Sequence, residues 1–215
     1  MSKSIRLASR VLVTALVSLL AALELLAAPG VPAPEHALAG EALAASLKQG
    51  GFVIYFRHAD TGPAYSEQAV DLGRCDTQRN LNDNGRKEAK LIGRQFVRLG
   101  IPVADVLSSE FCRCRETAEL AFGHYRIEPM LTGVSRSADA APRRARSIAV
   151  LKKMLATPPA RGANTVLVSH GFNLWDAEDF HLGTQGEAAI FRPDGQGGYV
   201  LVARLLPREW SALSE

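Results

Sequence analysis

The chain has 215 residues, 47% hydrophobic and 22% charged, with 18 Gly, 11 Pro and 3 Cys. Those proportions exclude a disordered chain, a collagen and a disulfide-dense mini-protein, and the length fits one domain with a sizeable core. The formal charge of +3 raises the idea of a nucleic-acid or anionic-membrane partner, but the first 28 residues account for most of it.

Lys3, Arg6 and Arg10 precede Val11 to Leu23, an uncharged run of 13 residues in which only Thr14 and Ser18 are polar. Leu25-Leu26-Ala27-Ala28 then leads into Pro29-Gly30. A positive start, a short apolar core and small residues before a break describe a secretory signal peptide over residues 1–28. Cleavage after Ala28 or after Ala33 fits equally. An uncleaved anchor is the alternative, since Val11 to Ala28 reaches 18 residues, near the lower limit for spanning a bilayer. Removing three positive charges and one negative leaves 22 Lys/Arg against 21 Asp/Glu. The exported body is nearly neutral, so no nucleic-acid partner is expected, and no membrane association once the leader is cleaved.

Residues 29–40 are rich in Pro and Ala and read as a linker to a domain over 41–215. Glu41 to Gln49 predicts a short helix ending at Gly50-Gly51. Phe52 to Phe56 is a continuous apolar run of β-formers, as in a strand buried on both faces. A long polar loop follows, of a length that usually carries function. Asn82 is a plausible N-cap for a helix in which Ala89, Ile92, Phe96 and Val97 recur at helical spacing until Gly100. Val103 to Leu107 predicts a strand, followed at once by Ser108-Ser109 and a helix from Glu110 to about Phe122. Tyr125 to Ile127 is a further candidate strand, and Ala138 to Leu155 a helix. Thr165 to Ser169 repeats the buried-strand pattern. Glu187 to Phe191 and Tyr199 to Leu205 predict a hairpin across Pro193 to Gly198. Strands alternating with helices imply an α/β domain with a mostly parallel central sheet, and such sheets bind ligands beyond the carboxyl ends of their strands.

Three residue groups fall at such ends: Arg57-His58, Ser108-Ser109 and His170-Gly171. Arg113 lies in the first turns of a helix that Ser109 could cap, where free N–H groups and a partial positive charge attract anions. Two arginines with forks that match phosphate oxygens, two histidines and a helix start point to a phosphoryl group. A rival set, His58, Asp60 and His170 as metal ligands of a hydrolase, has no clustered further ligand in the sequence.

These residues resemble the histidine phosphatase (phosphoglycerate mutase-like) superfamily. Arg57-His58-Ala59-Asp60-Thr61 resembles its Arg-His-Gly signature, with Ala59 in place of glycine. Ser108 to Ala118 resembles its Ser-Ser-Pro-x-x-Arg-Ala-x-x-Thr-Ala block. Val168-Ser169-His170-Gly171 resembles the block of its second histidine, and Gln78 to Leu81 with Gly85 and Ala89 its Leu-x-x-x-Gly-x-x-Ala segment. The four blocks occur in the family's order over about residues 52–206. The resemblance implies a three-layer α/β/α sandwich and a metal-independent, cofactor-free phosphomonoesterase. His58 would be the nucleophile that forms a phosphohistidine, and Arg57, Arg113 and His170 would hold the phosphoryl oxygens. Asp60, Thr61 and Ser109 would line the substrate site. Arg79 either adds a contact or is a surface arginine.

The family's general acid has no obvious counterpart. One branch places a Glu after the third strand, where this chain reads Pro129 to Gly133, and another an Asp where it has Gly171. Glu187 is the first candidate and Asp60 the second. A Cys75–Cys112 disulfide is a hypothesis that would tie two site-lining segments together, leaving Cys114 over. A phosphate-binding domain without turnover is the non-enzymatic alternative. Export points to extracytoplasmic phosphates in the periplasm or medium. Since the superfamily includes lipopolysaccharide-core sugar-phosphate phosphatases, an envelope sugar phosphate is the first expectation.

Overall fold

A computed structural model describes residues 37–63, 70–133 and 137–213. The expected leader and residues 29–36 of the expected linker lie outside the described residues.

Elements follow in the order α1 (Gly40–Gln49), β1 (Val53–Arg57), α2 (Asp83–Leu99), β2 (Val103–Ser108), α3 (Cys112–Phe122), β3 (Arg126–Ile127), α4 (Ala141–Ala156), β4 (Asn164–Ser169), α5 (Gly171–Glu178), β5 (Ala188–Pro193) and β6 (Tyr199–Leu205). Short 3-10 turns cover Cys75–Thr77, Pro129–Leu131 and Pro207–Ala212. The six strands form one sheet in the order β3-β2-β4-β1-β5-β6. Strands β3, β2, β4 and β1 run parallel, and the β5–β6 hairpin adds two antiparallel strands beside β1. The expected sandwich, with a mostly parallel sheet, is what forms.

Side chains alternate across a strand, so the apolar runs of β1 and β4 supply both faces at once. Ile54, Phe56, Val166 and Val168 join Leu43 and Leu47 of α1, Ile92 and Phe96 of α2, and Trp210 in one core. Val53, Tyr55 and Leu167 pack on the other face with Leu151 and Leu155 of α4 and Leu174 of α5. Both faces are covered, which is why these strands carry no polar alternation.

The N-cap of α2 is Asn82, whose side chain accepts the Gly85 N–H. Helix α3 starts two residues later than expected. Phe111 is its N-cap and makes no side-chain capping bond. Ser109 does not cap the helix, because its hydroxyl is engaged upstream, accepting the Phe111 N–H at 3.2 Å and contacting His170.

Candidate active site

Register brings the two histidines together. β1 and β4 are parallel neighbours with Arg57 opposite Ser169, so His58 and His170 are the next residues off the same edge. The His58 N–H donates to the Ser169 carbonyl at 2.9 Å, and the two imidazole centroids lie 5.5 Å apart, edge to face. On the other side of β4, Ser108 pairs with Val168, and the Ser109 N–H donates to the Val168 carbonyl. Ser109 Oγ therefore arrives 3.0 Å from His170 Nε2. The Tyr55 hydroxyl supports the platform from below, donating to the His170 carbonyl at 2.7 Å.

The arginines reach the same place by separate routes. Arg57 extends from the end of β1, and its Nη1 donates to the Leu182 and Gly183 carbonyls at 3.0 and 2.6 Å. Arg113 is buried in the first turn of α3, its guanidinium 4.0 Å from the centre of the Phe111 ring, a cation–π contact. The Thr117 hydroxyl donates to the Arg113 carbonyl and accepts the Ala59 N–H, which ties α3 to the loop after β1. Arg79 is half-buried, and its carbonyl accepts from Arg113 Nη1 at 3.3 Å.

Burial pushes the His58 pKa down to about 3, and the charges of Arg113, Arg57 and Arg79 push the same way. His58 Nδ1 lies 2.9 Å from the Ala59 carbonyl, which can only accept, so Nδ1 carries the proton and Nε2 keeps a free lone pair. Burial also holds His170 well below its ordinary pKa, helped by His58 and the three arginines. The Arg57 pKa is lowered by burial and then by Arg79. Two neutral imidazoles with the charges of three arginines acting on them make a cationic cluster suited to an oxyanion.

Arg57, His58, Ser109, Arg113 and His170 thus converge, and Arg79 joins them electrostatically. The other expected site residues take different places. The Thr61 N–H and hydroxyl both donate to Gln185 Oε1, at 2.7 and 2.8 Å, so Thr61 fastens its loop. Asp60 Oδ1 accepts the Gly62 N–H, and Oδ2 accepts from Asn82 and Asn84. These bonds, the one from Asn84 first, hold its pKa below the usual carboxylate range. Glu187 was expected to be the proton donor, but the structure sets it up as an acceptor. Its Oε1 pairs with both Nε and Nη2 of Arg204, and its Oε2 accepts the Thr184 N–H at 3.1 Å. Both oxygens of that carboxyl group are engaged by donors, which leaves it poorly placed to hand a proton to a leaving group.

Gly171 explains the other missing acid. A Cβ there would stand 2.9 Å from the Leu182 carbonyl and 3.4 Å from Arg57 Cδ, so the position has no room for a side chain. The metal-ligand reading loses Asp60 to its loop bonds. Among the described residues, no group of three or more His, Cys, Asp and Glu is placed to hold a metal.

Sequence reasoning missed Gln185 and Arg204, and found Thr117 only as part of the Ser108 to Ala118 block. Arg204 had a usable signal, an arginine inside the otherwise apolar run of β6, where it pairs with Ala189 two residues after Glu187. The Cys75–Cys112 disulfide is formed, and Cys114 is left as a buried thiol whose pKa burial pushes up to about 12.

An α/β domain with a buried cationic oxyanion site at its parallel strand ends is the class that fold and site define. Residues 53–133 match the model of the histidine phosphatase superfamily (branch 1), a stretch that holds the first histidine and the arginine block and stops short of His170. That stretch of the chain is similar to the superfamily. It is 27% identical over 97 residues to the mitochondrial serine/threonine-protein phosphatase Pgam5 of Drosophila yakuba, covering 45% of this chain and 31% of that protein. The corresponding protein of Drosophila mojavensis is 34% identical over 68 residues, 32% of this chain and 21% of that one. The chain therefore aligns with less than a third of these relatives' length. Among solved structures, the α-ribazole phosphatase of Shigella flexneri superposes with a TM-score of 0.51 at 14% identity, over 73% of this chain and 96% of that one. A phosphoserine phosphatase of Entamoeba histolytica superposes with a TM-score of 0.50 at 15% identity, over 74% and 98%. At these identities the superpositions establish a shared fold.

Proposed function

We propose that the protein is an exported, metal-independent phosphomonoester hydrolase that works through a phosphohistidine on His58. The observation that carries this reading is the edge-to-face pair of buried neutral histidines, 5.5 Å apart, under the charges of Arg57, Arg79 and Arg113. The phosphoryl group lies between the imidazoles with its oxygens on the guanidinium groups. His58 Nε2 attacks phosphorus, the N–P bond forms, and the P–O bond to the leaving oxygen breaks, with the departing oxygen taking a proton from solvent. Water then attacks phosphorus, the N–P bond breaks, and inorganic phosphate departs. Fixed positive charge does most of the work, because phosphoryl transfer depends on positioning and charge stabilisation. His170, held neutral, lends a hydrogen bond without competing for the nucleophile's role.

The leader-like residues 1–28 support export, and the disulfide fits an oxidising compartment. The substrate is then a small extracytoplasmic phosphomonoester, with an envelope sugar phosphate as the first choice. The two solved relatives named above carry the names of phosphatases for small phosphates, which is in keeping with that choice.

The test is a phosphomonoester panel with wild type and His58→Ala, with and without EDTA. His58→Ala should abolish turnover, EDTA should leave wild-type turnover unchanged, and acid quenching should destroy a phosphorylated intermediate. Turnover by His58→Ala at the wild-type rate would sink the mechanism. One observation favours a second reading, a phosphate-binding domain without turnover: both candidate acids, Asp60 and Glu187, have both carboxyl oxygens taken up by donors of the protein itself. Purified protein that hydrolyses nothing between about pH 4 and 8 would select it.

A further inference from the structure

Residues Gln78 to Asn80 run past the first turn of α3 and are fastened to it repeatedly. Gln78 is buried, and its Oε1 accepts the backbone N–H of Cys112 at 2.8 Å, satisfying one of the donors a helix start leaves over. Its Nε2 donates back to the Asp71 and Arg74 carbonyls, at 2.9 and 3.3 Å, so a single amide splints the loop to the helix. The Arg79 carbonyl accepts from Arg113. Asn80 Nδ2 donates to the Cys75 and Gln78 carbonyls, and the Cys75–Cys112 disulfide closes the arrangement with a Cα separation of 5.7 Å. Arg115 Nη2 reaches both sulfurs, at 3.4 Å for Cys75 and 2.8 Å for Cys112.

All of these bonds act on the backbone or neighbours of Arg79, the arginine that comes from neither β1 nor α3. Its charge bears on Arg57, His58 and His170 alike. Guanidinium charges repel one another, so keeping a third one beside Arg57 and Arg113 calls for a restraint built into the fold. We propose that Gln78 and the Cys75–Cys112 disulfide are positioning groups that hold Arg79 on the phosphoryl site as its third arginine. The inference rests on reading the cleft as a phosphoryl site.

The test is calorimetric titration of inorganic phosphate into the full chain, which needs no turnover. Wild type, Arg79→Ala, Gln78→Leu and the Cys75→Ala/Cys112→Ala pair are compared, and the last two are repeated in the Arg79→Ala background. Arg79→Ala should weaken phosphate binding by about tenfold or more, as loss of a charge-assisted contact does. Gln78→Leu and the cysteine pair should each weaken it several-fold in the parent and add nothing once Arg79 is alanine. Equal weakening by Gln78→Leu in both backgrounds, or none in the parent, overturns the proposal. If the cysteine pair does not fold, the Gln78 cycle decides alone. A wild type that binds no phosphate removes the site reading itself, whereas binding with an additive cycle removes only the clamp.

Discussion

His58 sits under three guanidinium groups with its Nδ1–H given to the Ala59 carbonyl, so burial sets its proton state more than bulk pH does. Its folded pKa of about 3 lies below the ordinary 6.5 of histidine, and His170 shifts in the same direction. Between those values the unfolded chain binds more protons than the folded one. Stability is therefore complete above pH 6.5 and is lost as pH falls toward 3. Exposed carboxylates titrate mostly below about pH 5, so the histidines dominate from about pH 7 to 5, with Glu88, whose pKa burial raises, acting in the opposite direction. Melting temperature should fall across that window, and His58→Gln should flatten the slope. Superimposable profiles for the two proteins would mean that His58 is not held neutral by the fold. Glu187 allows a second test at the same scale. Its fork with Arg204 and its bond from Thr184 assign it to holding the loop before β5, whose Gly186 N–H donates to the His58 carbonyl. Glu187→Gln should lower the melting temperature and slow aryl and alkyl phosphates by the same factor. A selective loss on alkyl phosphates, whose leaving oxygens need a proton, would return the acid role to Glu187.

At the scale of elements, helix α2 and the loop after β1 meet at Gly85. A Cβ there would stand 2.0 Å from the Asp60 carbonyl oxygen, inside the backbone of the loop that follows the nucleophile. Alanine ordinarily stabilises a helix interior by about 1 kcal/mol over glycine, but a backbone clash this close outweighs that gain. Gly85→Ala should destabilise the protein and reduce turnover together, as read by melting and by kcat/KM. A variant more stable than wild type would show that the loop has slack. This contact also shows what the sequence could and could not reveal. Gly85 was visible as part of a motif, and Asn82 as an N-cap, because both are local signals. The continuous apolar runs of β1 and β4 announced two strands buried on both faces, and parallel register then made His58 and His170 neighbours. The start of α3 was misplaced because its first N–H is satisfied by Gln78, 34 residues upstream, which no local capping pattern reveals. The engagement of Glu187 was hidden for the same reason: its partner Arg204 comes from the next strand, and only the β5–β6 register brings the two together.

For the whole molecule, charge matters by placement more than by amount. Without residues 1–28 the chain carries 22 Lys/Arg against 21 Asp/Glu, so its long-range field is weak. At one end of the sheet, however, Arg57, Arg79 and Arg113 act together on two buried histidines. A folded protein that confines like charge in this way is stabilised by whatever ligand neutralises it, and an unfolded chain gains nothing from the same ligand. At a hundredfold excess over its dissociation constant, such a ligand adds about 2.7 kcal/mol. For a domain of this size that corresponds to a rise of roughly 5–10 °C in melting temperature. Inorganic phosphate should produce that rise in wild type. His58→Ala should keep most of it, because the histidine is neutral and contributes no charge, whereas Arg113→Ala should lose most of it. If His58→Ala loses the shift and Arg113→Ala retains it, the anion is held by the imidazole, and the arginine cluster has some other purpose.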